Sequence, residues 1–141
     1  MLKAVLDANV FISGLLTPKG PSAKILSEWR IGAFDSVVSI PVLHEIQRVI
    51  FYPKIKKRLS WTDSEIIEFL HDLSQFSIMV SGQTKVDVIK DDPTDNKYLA
   101  CALEINADYI VTGDQHLLKV GEYRGTKIIS PREFLDILKK A

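Results

Sequence analysis

Residues 91–118, with the sequence DDPTDNKYLACALEINADYIVTGDQHLL, read as an acidic loop, an amphipathic helix, a short apolar strand and a final aspartate. Asp92 is suited to cap the helix, the following proline suits the first helical position, and Asp95 lies where a capping-box acid belongs. Residues 109–112 (YIVT) are typical of a strand in a parallel sheet, and Asp114 follows them across a glycine. The stretch therefore predicts one helix–strand unit of an α/β fold.

Asp95 is unusual because it shares a helix face with the apolar stripe of Tyr98, Leu99, Ala102 and Leu103. A helix cap accounts for an acid at this position, but a cap does not require the carboxylate to face the core. A buried carboxylate without a partner is costly, and we expect no cation on that face. A metal ion is therefore the expected partner of Asp95.

Length and composition indicate a single soluble domain. The chain has 141 residues, of which 46% are apolar and 26% charged, and this is enough to bury a core. Its 18 basic and 18 acidic residues cancel, so global charge does not argue for nucleic acid. One cysteine excludes an internal disulfide, and the apolar N-terminus is interrupted by Lys3 and Asp7. We expect a cytoplasmic protein that does not enter a membrane.

Predicted strands alternate with predicted helices along the whole chain. This alternation is typical of a parallel sheet covered by helices on both faces. The predicted strands are residues 2–6, 35–40, 76–80, 109–112 and 127–129, and the predicted helices start at Ser22, Pro41, Thr62, Asp92 and Pro131. A turn, DANVF, is expected to follow the first strand.

Four acids are expected to meet at the carboxyl edge of this sheet. Asp7 and Asp114 directly follow strands, Asp95 begins a helix, and Glu45 lies in the first turns of the helix after the second strand. Ligands of α/β sheets bind at that edge. Carboxylates without cysteine or a histidine pair suit Mg²⁺ or Mn²⁺, which in pairs promote phosphodiester hydrolysis. A solvated flank explains Glu45 alone equally well.

One basic cluster interrupts the neutral chain. Residues 52–61 (YPKIKKRLSW) contain Lys54, Lys56, Lys57 and Arg58 between aromatic residues. Such a cluster suits contact with the sugar-phosphate backbone of RNA. A solvated helix face explains the same residues at least as well.

These motifs together resemble the PIN domain, a ribonuclease fold found in the toxins of many toxin–antitoxin pairs. The resemblance covers essentially the whole chain. It is carried by LDANVFIS at Asp7, by SIPVLHEIQRVI at Glu45, by DPTDNKYLACALEINADYIVTGD at Asp95 and Asp114, and by the trailing IISPREFL. No one motif is specific, but four of them in order are.

The resemblance implies a role for seven residues. The acids that match the family's catalytic, metal-binding quartet are Asp7, Glu45, Asp95 and Asp114. Asp92 matches an accessory metal ligand, and Asn9 and Thr112 match polar residues that orient the carboxylates. His116 stands where a second acid sometimes follows the fourth.

The resemblance also implies a fold and an activity. It implies one PIN-like nuclease domain over residues 1–141, a three-layer α/β/α structure with a central five-stranded parallel sheet. It implies an Mg²⁺- or Mn²⁺-dependent endoribonuclease that hydrolyses RNA phosphodiester bonds, as the toxin of a toxin–antitoxin pair. The implied partners are the RNA substrate and a small antitoxin laid across the cleft, and a homodimer is compatible with them.

Two other functions fit parts of the sequence. A phosphatase with Asp7 as nucleophile, like the haloacid-dehalogenase class, requires a second aspartate two residues on, where this chain has Asn9. A catalytically silent RNA-binding or scaffold module fits the neutral charge, whereas the intact acidic quartet disfavours it.

Overall fold

The computed structural model describes residues 1–140, which form eight α-helices, six β-strands and one 3₁₀ turn. The strands are β1 Lys3–Leu6, β2 Asp35–Ser39, β3 Ile78–Val80, β4 Tyr109–Val111, β5 Glu122–Tyr123 and β6 Thr126–Ile129. The helices are α1 Ala8–Leu16, α2 Pro21–Arg30, α3 Ile40–Ile50, α4 Pro53–Leu59, α5 Asp63–Gln75, α6 Asn96–Leu103, α7 Gln115–Val120 and α8 Pro131–Lys140. The 3₁₀ turn Pro93–Asp95 immediately precedes α6.

The strands form one sheet in the order β3-β2-β1-β4-β6-β5. All neighbouring strands are parallel except the two-residue edge strand β5, which pairs antiparallel with β6. The predicted α/β class and five parallel strands are confirmed, and the structure adds the short β5. Strand order reverses between β1 and β4, and such a switch point is where α/β sheets bind ligands.

Helices cover both faces of the sheet. Neighbouring residues of a strand point to opposite faces, yet Ala4, Val5 and Leu6 of β1 are all buried. The core continues through the sheet-facing side of α6, where Leu99 and Ala102 are fully buried. The central strands are therefore enclosed, as the continuous apolar sequence of β1 predicts.

Local helix signals are correct in part. The capping box of α5 forms as predicted, because Thr62 accepts from the Glu65 N–H while Glu65 accepts from the Thr62 N–H. Ser22 is not a cap: α2 starts one residue earlier, after Gly20, and Ser22 is buried inside the helix. The proline preceding Ser22 already has the φ of a first helical residue, which moves the start of the helix.

The predicted turn after β1 is wrong, because α1 begins there. Asp7 caps α1 by accepting the Asn9 N–H at 3.0 Å. The predicted cap of α6 is also wrong: among the described residues, neither Asp92 nor Asp95 makes a capping hydrogen bond. The 3₁₀ turn occupies the place of the cap, and Asp92 accepts from the Thr94 hydroxyl instead.

An irregular loop, residues 81–92, carries the chain from β3 to the start of α6. The side-chain amide of Asn96 makes four hydrogen bonds to the end of this loop. It accepts from the Val88 and Ile89 N–H groups and donates to the Ile89 and Pro93 carbonyls, at 2.9–3.1 Å. These four bonds fix the segment that ends at Asp92. No helix within residues 1–140 combines the length and apolar character needed to cross a membrane.

Replacing Asn96 by Ala should therefore loosen this loop. We expect a loss of about 2–4 kcal/mol in the free energy of unfolding, because buried backbone groups lose their partners. Urea unfolding measures it, with Gln83→Ala, an exposed amide in the same loop, as control. A cost for Asn96→Ala no larger than for Gln83→Ala would contradict the role of the amide.

Candidate metal centre

Two aspartates lie side by side where β1 and β4 end. Asp7 follows β1 and is 4% exposed, and Asp114 caps α7 by accepting the His116 N–H at 2.7 Å. The buried Thr112 hydroxyl links them, donating to Asp7 Oδ2 at 2.7 Å and accepting from the Asp114 N–H at 2.9 Å. These two hydrogen bonds are of the kind expected of a residue that orients the carboxylates. Asn9 contacts Asp7 through its backbone, while its side chain is exposed.

Asp95 is the third acid at this edge, and it is only 8% exposed. Its Oδ2 is fully buried and has no hydrogen-bond partner among residues 1–140. One donor atom each of Asp92, Asp95, Asp114 and His116 lies within 4.8 Å of the others. A carboxylate with a buried, unpartnered oxygen therefore belongs to a group of four potential metal ligands.

The electrostatics of these acids follow from their crowding. The pKa of Asp95 is raised to about 7, chiefly by burial and then by the charges of Asp114, Asp92 and Asp7, while the charge of Lys97 acts in the opposite direction. Burial also raises the pKa of Asp7, although hydrogen bonds from Asn9 and Thr112 oppose the rise. Without a cation, the folded state therefore disfavours the charged carboxylates.

Glu45 lies apart from the group of four. The Tyr98 hydroxyl donates to Glu45 Oε1, and the Lys97 ammonium lies 2.7 Å from Glu45 Oε2. Arg48, more exposed, is 3.8 Å from the same oxygen. The Tyr98 hydroxyl also accepts the Ala8 N–H at 3.1 Å, which connects Glu45 to the residue after Asp7. The glutamate is thus held on both oxygens by neighbouring residues of α6.

Sequence reasoning missed three residues at this site: Lys97, Tyr98 and His116. The Lys97 ammonium contacts Glu45 and the Thr94 carbonyl, and among residues 1–140 it forms no ion pair with Asp95. Tyr98 was assigned only to the apolar stripe, although a buried tyrosine hydroxyl needs a partner. His116 adds an imidazole to a site that was expected to be purely oxygen-lined.

The remaining predicted residues are Asp92 and the basic cluster. Asp92 belongs to the group of four, as its expected accessory position suggests. The basic cluster forms α4, on which Lys54, Lys57 and Arg58 are exposed. Lys56 is instead paired with Asp63. Nothing in this arrangement tests their contact with RNA.

A sequence model of the PIN domain matches residues 3–116, which include every acid described above. The chain belongs to the PIN domain family. A relative in Methanocaldococcus jannaschii, the uncharacterized protein MJ1680, is 31% identical over 99% of this chain and 93% of its own length. PIN domains are generally nucleases and typically use divalent metals, which agrees with the acidic centre.

The residues of this PIN domain fit a divalent cation. Three carboxylates and one imidazole can supply its ligands, and the buried Asp95 Oδ2 has an unmet need for a positive charge. Asp92, Asp95, Asp114 and His116 would hold the ion, and Thr112 would keep Asp114 in place.

Asp95→Asn should stabilise the metal-free protein at neutral pH. Because the pKa of Asp95 is about 7 in the folded state, the folded state binds more protons than the unfolded chain above pH 4. Stability should fall as pH rises from about 4 to about 7, by up to about 4 kcal/mol. The variant should lose most of this fall, and we expect it to melt higher in EDTA at pH 8.

Mn²⁺ at a hundredfold excess over its Kd should stabilise the wild type by about 2.7 kcal/mol and the variant by less. Asp91→Asn is the charge-matched control, since Asp91 is exposed in the same loop. Melting of Asp95→Asn below the wild type in EDTA at pH 8 would show that Asp95 has a mainly structural role.

Proposed function

We propose that this protein is an Mg²⁺- or Mn²⁺-dependent endoribonuclease that hydrolyses RNA phosphodiester bonds at the acidic centre. The observation that carries the proposal is the Asp95 carboxylate, 8% exposed with Oδ2 unpartnered in the described chain, inside a group of four donors. Its position at the switch point of the sheet supports a ligand site rather than a structural cluster.

The residues of the centre have distinct tasks. Asp7, fixed by the Thr112 hydroxyl and the Asn9 N–H, holds a negative charge at the end of β1. Asp95 and Asp114, with Asp92 and His116, hold the cation. When bound, this cation lowers the pKa of an attacking water and stabilises charge on the phosphate. Glu45 is oriented by Tyr98, which makes it suited to position the water or the phosphate.

The surface beside Asp114 offers room for RNA. A cavity of about 340 Å³ is lined there by Asn9, Ser13, Ser22, Gly113 and Asp114, among others. Several small polar side chains suit a sugar or base next to the cleaved phosphate. The basic helix α4 packs against α1 and α3, the helices that carry Asn9 and Glu45. A strand of RNA could thus contact both regions.

The imidazole in the ligand group favours Mn²⁺ over Mg²⁺. Mg²⁺ prefers oxygen ligands and near-ideal octahedral geometry, while Mn²⁺ binds more tightly than Mg²⁺ to sites that include nitrogen. His116 is only partly exposed, and its Nδ1 lies 3.7 Å from Asp114 Oδ1. We therefore expect higher activity with Mn²⁺.

The biological setting follows from the resemblance of the motifs to those of toxins. We propose that the protein acts in the cytoplasm as the toxin of a toxin–antitoxin pair. It would bind a small antitoxin protein and form a homodimer. A catalytically silent RNA-binding or scaffold module is the second candidate. It is favoured by the ion pair with Lys97, which neutralises Glu45 without any metal.

Cleavage of a generic single-stranded RNA separates these candidates. The wild type with Mn²⁺ should cleave it, and Asp114→Asn should lower the rate by at least about a hundredfold, because a metal ligand is lost. RNA affinity should change little. Asp108→Asn, which alters an aspartate that accepts the Lys3 N–H at the opposite end of the strands, is the control. RNA binding without cleavage by the wild type would favour the silent module.

A second experiment addresses α4. Changing Lys54, Lys57 and Arg58 together to Ala should weaken RNA binding and reduce the slope of log Kd against log salt by up to about 2, at about 0.7 per lost phosphate contact. The triple change Lys127→Ala, Lys139→Ala, Lys140→Ala removes three exposed charges elsewhere and is the control. An equal slope in both triple variants would assign α4 to a merely solvated face.

A further inference from the structure

The potential ligands of the centre divide into the group of four donors and two acids outside it, Asp7 and Glu45. Asp92, Asp95, Asp114 and His116 bring donor atoms within 4.8 Å of one another, and one of these residues has an unpartnered, buried oxygen. Glu45 is outside this set, and both of its carboxylate oxygens already have partners. The unmet need for a positive charge therefore lies at the group of four donors and not at Glu45.

Lys97 provides the positive charge that pairs with Glu45. Its side chain is only 16% exposed, and its ammonium lies 2.7 Å from Glu45 Oε2 and 3.0 Å from the Thr94 carbonyl. The ammonium also lies 5.2 Å from the centre of the Tyr98 ring. These contacts fix a full positive charge at the Glu45 carboxylate. They use two of its three N–H donors, which leaves one for a substrate phosphate oxygen.

A divalent ion at Glu45 would have to share this space with the ammonium. Paired catalytic ions are bridged or flanked by carboxylates, and Glu45 is a carboxylate outside the group of four that a second ion would use. Moving the Lys97 ammonium away from Glu45 is costly, because it breaks a largely buried ion pair and leaves a charge without its partner. Repulsion by the ammonium would further weaken the binding of a second divalent ion.

We propose that the Lys97 ammonium takes the place of a second divalent ion beside Glu45, so that this site binds a single divalent cation at the group of four donors. This inference rests on the proposed metal-dependent function. Lys97 is then a positioning residue for Glu45 and supplies a fixed charge to the substrate phosphate. The site then contains one divalent ion and one lysine ammonium.

The stoichiometry of Mn²⁺ binding to the full chain tests the proposal, by calorimetry and by native mass spectrometry. The wild type should bind one ion. Lys97→Met removes the charge but keeps an apolar stem, and it should bind two because Glu45 becomes available. Lys97→Arg should stay at one ion. The double variant Glu45→Gln, Lys97→Met should also bind one, since the second site needs the Glu45 charge.

Lys90→Met is the control, because Lys90 forms an exposed ion pair with Asp87 in the loop before the site. Two ions on the wild type, or one ion on Lys97→Met, would overturn the proposal and leave a metal-dependent nuclease intact. No ion on the wild type would overturn both this inference and the proposed function. If Lys97→Met fails to fold, the wild-type stoichiometry alone still decides, because two ions contradict the assignment and one supports it.

Discussion

The buried carboxylate of Asp95 is the constraint around which this site is arranged. Ionising it without a partner costs free energy that no hydrogen bond among residues 1–140 offsets at Oδ2. The neighbouring charges of Asp114, Asp92 and Asp7 increase that cost. A folded chain that retains such a group gains from any cation that binds it, and this links the stability of the PIN domain to the chemistry proposed for it.

The fold supplies both the crowding and the order of these acids. β1 and β4 are neighbours although the chain between them is about a hundred residues long, so Asp7 and Asp114 meet only in the folded state. Thr112 then ties the two aspartates together, and Tyr98 ties Glu45 to the start of α1. Because each buried hydroxyl donates one hydrogen bond to a carboxylate and accepts another from a backbone N–H, the carboxylates are held in place before any ligand arrives.

The sequence predicted the features that depend on local patterns. Alternating strands and helices predicted the α/β class, and acids placed after strands led us to expect a centre at the carboxyl edge of the sheet. Contacts made by long side chains were not predictable in this way: Lys97 points away from Asp95 on a helical wheel, yet its flexible stem brings the ammonium to Glu45. The start of α2 and the missing cap at Asp92 were mispredicted because a neighbouring proline or 3₁₀ turn decided the local geometry.

The most direct test of this account is a crystal structure of the full chain grown with Mn²⁺, with anomalous diffraction collected at the manganese absorption edge. We predict one strong anomalous peak within coordination distance of Asp95 Oδ2, shared with Asp114, and a Lys97 ammonium still at Glu45. Occupied manganese sites elsewhere on the protein, with Asp95 Oδ2 left without a metal contact at saturating Mn²⁺, would contradict the account.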